Sequence, residues 1–427
     1  MKKLNILLMV AAAIVTQAAA TARAAIGDKL GGSAPTEDIA KWRQLKFGLF
    51  IHWGPVSLQG TEIGWSRGGE RRGMPGTGKI PVEIYDNLYK QFNPVSFNAA
   101  EWVDIAKAAG MRYMVFTTRH HDGFSNFDTN YSDYKITSPK SPYGKDIVRQ
   151  LADACRAGGL LWGVYYSQPD WHHPDYLTDR HDRYLKYLHG QVRELLTNYG
   201  HTDIIWFDGL QAAQEKPETW DAENLLRMIR TLQPHILVNN RCGLPGDFGT
   251  PEQEIGKMET NRAWETCMTI GEQWAWKPGD TLKSTKECIQ TLVKVVGGDG
   301  NLLLNVGPMP DGRIEPRQVA MLKQIGQWLE HNGESIYGTR GGPFPRSEQV
   351  ATTYKDNKIY VHILDPNLES VTLPQPKHEI VDHCLLHGDT VDVKQVGNEI
   401  VISCPKAARN DTDTIVVLTL KRPVSGR

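Results

Sequence analysis

The feature that most constrains this chain is an alternation of two kinds of segment. Short apolar runs rich in β-branched and aromatic residues occupy 46–54, 113–118, 161–167, 203–209, 235–241 and 301–306. Runs of this kind, without polar residues at every second position, read as strands covered on both faces. Between them lie segments with apolar residues at helical spacing. One opens at Asn98-Ala99-Ala100-Glu101, places Trp102, Ile105, Ala106 and Ala109 on one face, and stops at Gly110. Others cover 146–157 and 316–329. Ser284-Thr285-Lys286-Glu287 is a capping box that starts a helix with Ile289, Leu292, Val293 and Val296 on one side. Strand-then-helix repetition builds parallel β/α units. A dinucleotide-binding glycine fingerprint is absent, and polar residues recur at the strand ends, so a TIM-like (β/α) barrel is expected over 35–340 rather than a doubly wound sheet.

After residue 340 the pattern changes. Short alternating runs at 359–364, 371–373, 399–403 and 414–420 are broken by Asn, Pro, Gly and Asp. They predict a C-terminal antiparallel β-sandwich over 341–427. At the other end, Lys2 and Lys3 precede the apolar stretch 6–15 and then Ala22-Arg23-Ala24. This is the form of a secretory signal peptide over 1–24, which predicts export to a periplasm or beyond. The stretch is too short to span a bilayer, and no cysteine near the cleavage site offers a lipid anchor. A net charge of −1 lacks the electrostatic footprint of a nucleic-acid binder or a polybasic membrane protein. Six cysteines without a C-x-x-C pair indicate neither a metal cluster nor a dense disulfide framework. A bond between Cys384 and Cys404 is left open.

Asp208 ends the run 203–209 and is followed by Gly209. Barrels carry their chemistry at the carboxyl ends of strands, although this position alone suits a helix cap equally well. Its companions decide. Strand ends also supply His52 and Trp53, His120 and His121, Tyr165 and Tyr166, Trp206, and Asn239 to Arg241, with Glu252 and Glu265 in the segments that follow. Imidazoles, aromatic rings and an arginine around carboxylates form a pocket that can bond hydroxyls and stack on a sugar ring. The motifs FGLFIHWG (47–54), TTRHHDGF (117–124), GVYYS (163–167), WFD (206–208), WETC (264–267), NLLLNVGP (301–308) and NGESIYG (332–338), in this order, resemble the α-L-fucosidases of glycoside hydrolase family 29.

The resemblance implies a barrel followed by a sandwich, and an exo-acting, retaining enzyme that removes terminal L-fucose without a metal or other cofactor. It implies a fucosylated oligosaccharide or glycoconjugate as partner, with no nucleic acid and no membrane anchor, and sets no oligomeric state. By motif, Asp208 is the expected nucleophile, and His52, Trp65, His120, His121, Tyr166, Trp206 and Arg241 are expected to bind the sugar. The acidic residue that often precedes the tryptophan is Gly64 here. Either Glu62 replaces it or that hydroxyl contact is lost. The acid/base is assigned to Glu252, which lies in the Gly- and Pro-rich loop 246–253. Glu265 lies in a compact apolar run and is expected to hold neighbouring residues in place.

Two other functions are compatible with the same residues. A metal-dependent barrel hydrolase would use His52, His120, His121 and Asp208 as ligands, although adjacent histidines on a strand point opposite ways unless the chain bends. A glycan-binding protein without turnover would keep the pocket alone.

Overall fold

A computed structural model describes residues 32–209, 216–388 and 390–424. The expected signal peptide lies outside the described residues. Eight strands form one parallel sheet: β1 (Phe47–Ile51), β2 (Tyr113–Arg119), β3 (Leu161–Tyr166), β4 (Ile204–Phe207), β5 (Leu237–Val238), β6 (Phe248–Gly249), β7 (Ala263–Thr269) and β8 (Asn301–Val306). Their order is β5-β4-β3-β2-β1-β8-β7-β6. A parallel bridge from Asn239 to Phe248 links the two outer strands, so the sheet curls into a barrel.

Side-chain parity divides the strands into two layers. Phe50, Tyr113, Val115, Tyr165, Ile204, Trp206, Phe248, Cys267 and Leu303 face inward and pack into one cluster. Leu49, Ile51, Phe116, Val164, Ile205, Phe207, Leu302 and Val306 face outward. Helix α1 (Thr36–Leu45) packs Trp42 into the inner cluster, and the outer layer is covered by helices α2 (Ala99–Ala108), α3 (Ile147–Gly158), α4 (His181–Asn198), α5 (Ala222–Leu232), α6 (Thr285–Gly297) and α7 (Pro316–Asn332). Asn98 caps α2 through the amides of Ala100 and Glu101. Ser284 and Glu287 form a complete capping box on α6.

The run 235–241 was expected to be one strand, yet only Leu237–Val238 pairs as such. Beyond it the Asn239 side chain takes over, accepting from the Phe207 amide at 2.9 Å and donating to the Phe207 carbonyl at 2.8 Å. Its amide completes the ladder and frees the backbone to turn toward Arg241. The loop expected over 246–253 contains β6, two residues too short to show any periodicity.

Beyond the barrel, a five-stranded antiparallel sheet and a three-stranded one face each other. Ile359, Val361, Val416 and Leu418 from the first meet Val371, Leu373, Ile400 and Ile402 from the second in a separate core. The fold is a (β/α) barrel followed by an antiparallel sandwich. Cys384 and Cys404 are both free thiols. Cys404 packs within the sandwich core while Cys384 lies against Tyr360 and Ile415 in another cluster, so no bond joins them.

Candidate active site

A cavity of about 460 Å³ opens at the carboxyl ends of the strands and is lined by His52, Trp65, His120, His121, Trp206, Asp208, Arg241 and Glu252 among others. Asp208 is the first residue past β4. Trp206 faces inward and Phe207 outward, so parity turns Asp208 into the cavity, where its side chain is 18% exposed. Arg241 Nη1 donates to Asp208 Oδ1 at 2.8 Å, and the Tyr165 hydroxyl donates to Oδ2 at 2.7 Å. Burial by itself would raise this carboxyl. Arg241, His121 and the Tyr165 hydroxyl outweigh burial and hold it below the usual carboxylate range. Asp208 is therefore ionised at neutral pH.

Glu252 stands at the rim, 39% exposed, with Oε2 at 2.8 Å from Arg241 Nη1. One guanidinium nitrogen thus bridges both carboxylates. The Asp208 and Glu252 oxygens it holds can be no farther apart than twice 2.8 Å. This limit accommodates the spacing of about 5–5.5 Å at which retaining glycosidases place their two carboxyl groups. Arg241 is fixed in turn by Thr250, through Nε to Oγ1 at 3.0 Å and Nη2 to the carbonyl at 3.1 Å.

The three histidines are buried and neutral. Burial pushes His52 and His121 down to about 4, and His120 well below its ordinary value. Asn305 donates from Nδ2 to the Trp274 carbonyl, which leaves Oδ1 to accept from His52 Nδ1 at 2.6 Å. The Ser167 hydroxyl donates to the Pro169 carbonyl and accepts from His121 Nδ1 at 2.6 Å. Both rings thereby keep Nε2 as an acceptor for hydroxyl groups. His120 and His121 share the cavity because β2 ends before them. A register irregularity at Thr117 to Arg119 sends Arg119 outward onto the Tyr166 ring, 4.3 Å away. The chain then turns, with the Gly123 amide bonded to the His120 carbonyl at 3.0 Å. Gly123 has φ +79°, and an added Cβ would meet the Asp170 carboxylate at 2.3 Å.

The structure corrects one sequence assignment and decides one alternative left open. Tyr166 does not line the cavity. Its hydroxyl donates to Gln191 on α4 at 2.9 Å, in the layer between sheet and helices. Tyr165, its neighbour, pairs with Trp206 in register and takes the place at Asp208. Counting parity from Trp206 would have found it. Glu62, in turn, does not replace the acidic residue missing at Gly64. Its carboxylate accepts from the amides of Trp274 at 2.8 Å and Ala275 at 3.1 Å, which pins a loop. That loop delivers Trp274, a wall residue sequence reasoning missed, to within 4.8 Å of the His52 ring. Gly64 has φ +68°, and a Cβ there would lie 2.7 Å from His120 Nδ1, so this position holds no side chain. Trp65 lines the cavity edge-on to His121, and Arg71 rests over the Trp65 and Trp171 rings.

Glu265 lies on β7 and is fully buried. It accepts from Trp206 Nε1 at 3.1 Å and from the Tyr113 hydroxyl. Ligand atoms of His120, His121 and Asp208 fall within 4.8 Å of one another. Their one carboxylate is already neutralised by Arg241, and His52, the fourth expected metal ligand, is not among them.

A barrel-mouth cavity with an ionised carboxylate, a second carboxyl on the same guanidinium nitrogen and walls of aromatic rings and neutral imidazoles has the make-up of a glycoside hydrolase site. The profile of the family described as α-L-fucosidase matches residues 16–334. An α-L-fucosidase of Branchiostoma floridae is 30% identical over 425 residues, covering 88% of this chain and 92% of that protein. Among solved structures, α-L-fucosidase isoenzyme 1 from Paenibacillus thiaminolyticus is similar with a TM-score of 0.81 and 37% identity, over 90% of this chain and 99% of that one. A GH29 α-L-fucosidase of Bacteroides thetaiotaomicron, trapped as a covalent intermediate with 2-fluoro-fucosyl fluoride, gives a TM-score of 0.79 at 25% identity, covering 91% and 97%. The chain belongs to the α-L-fucosidase family, glycoside hydrolase family 29.

Proposed function

We infer that this chain hydrolyses terminal α-L-fucosides with net retention of configuration, with Asp208 as nucleophile and Glu252 as general acid/base. The observation that carries the residue assignment is the single Arg241 nitrogen at 2.8 Å from both carboxylates. Asp208 attacks the anomeric carbon while Glu252 gives its proton to the departing glycosidic oxygen. A β-fucosyl ester on Asp208 results. Glu252, now ionised, takes a proton from water, whose oxygen breaks the ester and restores Asp208. His52, Trp65, His120, His121, Trp206 and Arg241 form the wall that meets the sugar, together with Tyr165 in place of Tyr166. The substrate is a fucosylated oligosaccharide or glycoconjugate. No observation favours the metal-dependent hydrolase or the binding protein without turnover.

The assignment is tested with an aryl α-L-fucoside. Proton NMR of the first-formed sugar should show the α anomer; a β product at early times would sink the double displacement. Glu252→Ala should slow substrates with poor leaving groups far more than activated aryl fucosides, and added azide should yield α-fucosyl azide. That behaviour in Glu265→Ala instead would move the acid/base to Glu265.

Two further proposals accompany this one. Residues 35–340 form the catalytic unit and 341–427 the sandwich, in keeping with their separate cores. The protein is exported, on the strength of the signal-peptide pattern at 1–24, and no helix among the described residues is long and apolar enough to cross a membrane. A mature N-terminus at Ala25, read by mass spectrometry after expression with the leader, is the expected outcome.

A further inference from the structure

Glu265 is a buried carboxyl on β7 that the reaction above does not use. It is 1% exposed and has no ion-pair partner among the described residues. Its two oxygens are occupied by neutral donors, the Trp206 indole at 3.1 Å and the Tyr113 hydroxyl. Such a group is costly to bury and needs a reason to be there.

The reason lies on the other side of the indole. Arg241 stands over the Trp206 ring, with its guanidinium carbon 4.7 Å from the centroid. The same ring is stacked on Tyr165, at 5.7 Å and 18° between planes, and Tyr165 holds the second Asp208 oxygen. Both groups that donate hydrogen bonds to Asp208 therefore rest on one indole. An indole whose N–H donates to a carboxyl oxygen gains electron density on its π face, and that density attracts a guanidinium. The bond also holds the indole edge that the contacts of Phe50, Tyr165 and Arg241 with the ring leave free to rock.

We propose that Glu265 is a positioning residue that acts through Trp206 to hold Arg241 where it bridges the two catalytic carboxylates. This inference rests on the assignment of Asp208 and Glu252 given above. Glu265 touches neither the sugar nor the reacting atoms. Its effect appears in the spacing and protonation of the pair that Arg241 joins, so it alters turnover more than binding. A shift of about 1 Å in such groups can cost on the order of 100-fold in rate.

The experiment is a double-mutant cycle on kcat for an aryl α-L-fucoside, with Glu265→Ala, Glu265→Gln and Trp206→Phe. The alanine variant should lose about 10- to 100-fold in kcat with KM changed less than about threefold. The glutamine variant, whose amide oxygen can still accept from the indole, should recover most of that loss. Trp206→Phe, which keeps a ring face but removes the N–H, should lose a comparable factor, and adding a Glu265 substitution to it should cost little more. The acid limb of kcat/KM should move to higher pH in Glu265→Ala, as Arg241 loosens from Asp208. Should Glu265→Ala fail to fold, the cycle of Glu265→Gln with Trp206→Phe carries the same comparison of coupled against independent losses. Independent, multiplying losses would overturn the proposal. So would a lower melting temperature with unchanged kcat in the folded fraction, or azide rescue of Glu265→Ala with fucosyl azide formed. An inactive wild-type enzyme would instead sink the functional assignment itself.

Discussion

A hydrogen bond to an ionised group is worth about 1.5–3 kcal/mol, and Tyr165 makes one to Asp208 at 2.7 Å. Removing it acts on the nucleophile twice, by loosening its orientation and by withdrawing one of the groups that keep its carboxyl ionised. Tyr165→Phe is expected to lower kcat/KM by roughly 10- to 100-fold and to shift the acid limb of the pH profile upward. The direction follows from the sign of the contribution: a donor to the ionised form depresses the carboxyl, so its loss lets the carboxyl rise. Tyr166→Phe is the control. It loses only the bond to Gln191 in the outer layer, at 2.9 Å, and should cost about 1 kcal/mol of stability with kcat/KM unchanged. Kinetics of the two variants side by side check the correction made from strand parity, and the opposite pattern would restore Tyr166 to the sugar pocket.

Elements that announce themselves by period were legible, and elements held by single side chains were not. The α6 capping box, the apolar face of α2 and the strand at 301–306 follow directly from residue order, because each repeats a physical requirement over several residues. β5 is shorter than the run 235–241 because the Asn239 amide bonds both polar groups of Phe207, and a lone asparagine carries no such signal. The same limit hid Trp274. Its backbone is tied by Glu62, some two hundred residues earlier in the chain, and by Asn305, and no spacing rule connects them. Asp208 and the histidines proposed for the site were visible because strand ends in a barrel converge on one mouth. The loop from Ile270 to Lys283 offers a test at this scale. Glu62→Ala removes the acceptor for the Trp274 and Ala275 amides and leaves both donors unpaired. Trp274 should lose its fixed place beside His52, so KM for the aryl fucoside should rise severalfold while kcat falls less. An unchanged KM would show that the loop holds its shape without Glu62.

The whole molecule buries titratable groups of both signs, and their balance sets how stability depends on pH. Burial pushes His52 and His121 down to about 4 from 6.5. Between those values the unfolded chain holds protons that the folded one lacks, so these residues make stability rise with pH. Burial pushes Glu265 up to about 8 from 4.5 and Asp122 up to about 6 from 3.8. There the folded chain holds the extra proton, and stability falls as pH rises. His120 is held low by burial as well, so below about pH 6 three histidines oppose two carboxyls and stability still rises with pH. Above 6.5 the histidines are neutral in both states and Asp122 is ionised in both, which leaves Glu265. Stability should then fall by about 1.4 kcal/mol per pH unit up to about pH 8. Beyond that, Lys46, pushed down to about 8 by burial at the foot of the barrel, works the other way, because the unfolded lysine keeps its proton longer. Urea unfolding at half-unit steps from pH 5 to 9 should therefore show a rise, a decline from about 6.5 and a turn near 8. Glu265→Gln removes the titrating group and should flatten the decline while the histidine-driven rise below pH 6.5 remains. If stability instead climbs between pH 6.5 and 8, or the glutamine variant keeps the wild-type slope, then Glu265 is already ionised inside the barrel, stabilised in that form by the Trp206 and Tyr113 donors strongly enough to offset its burial.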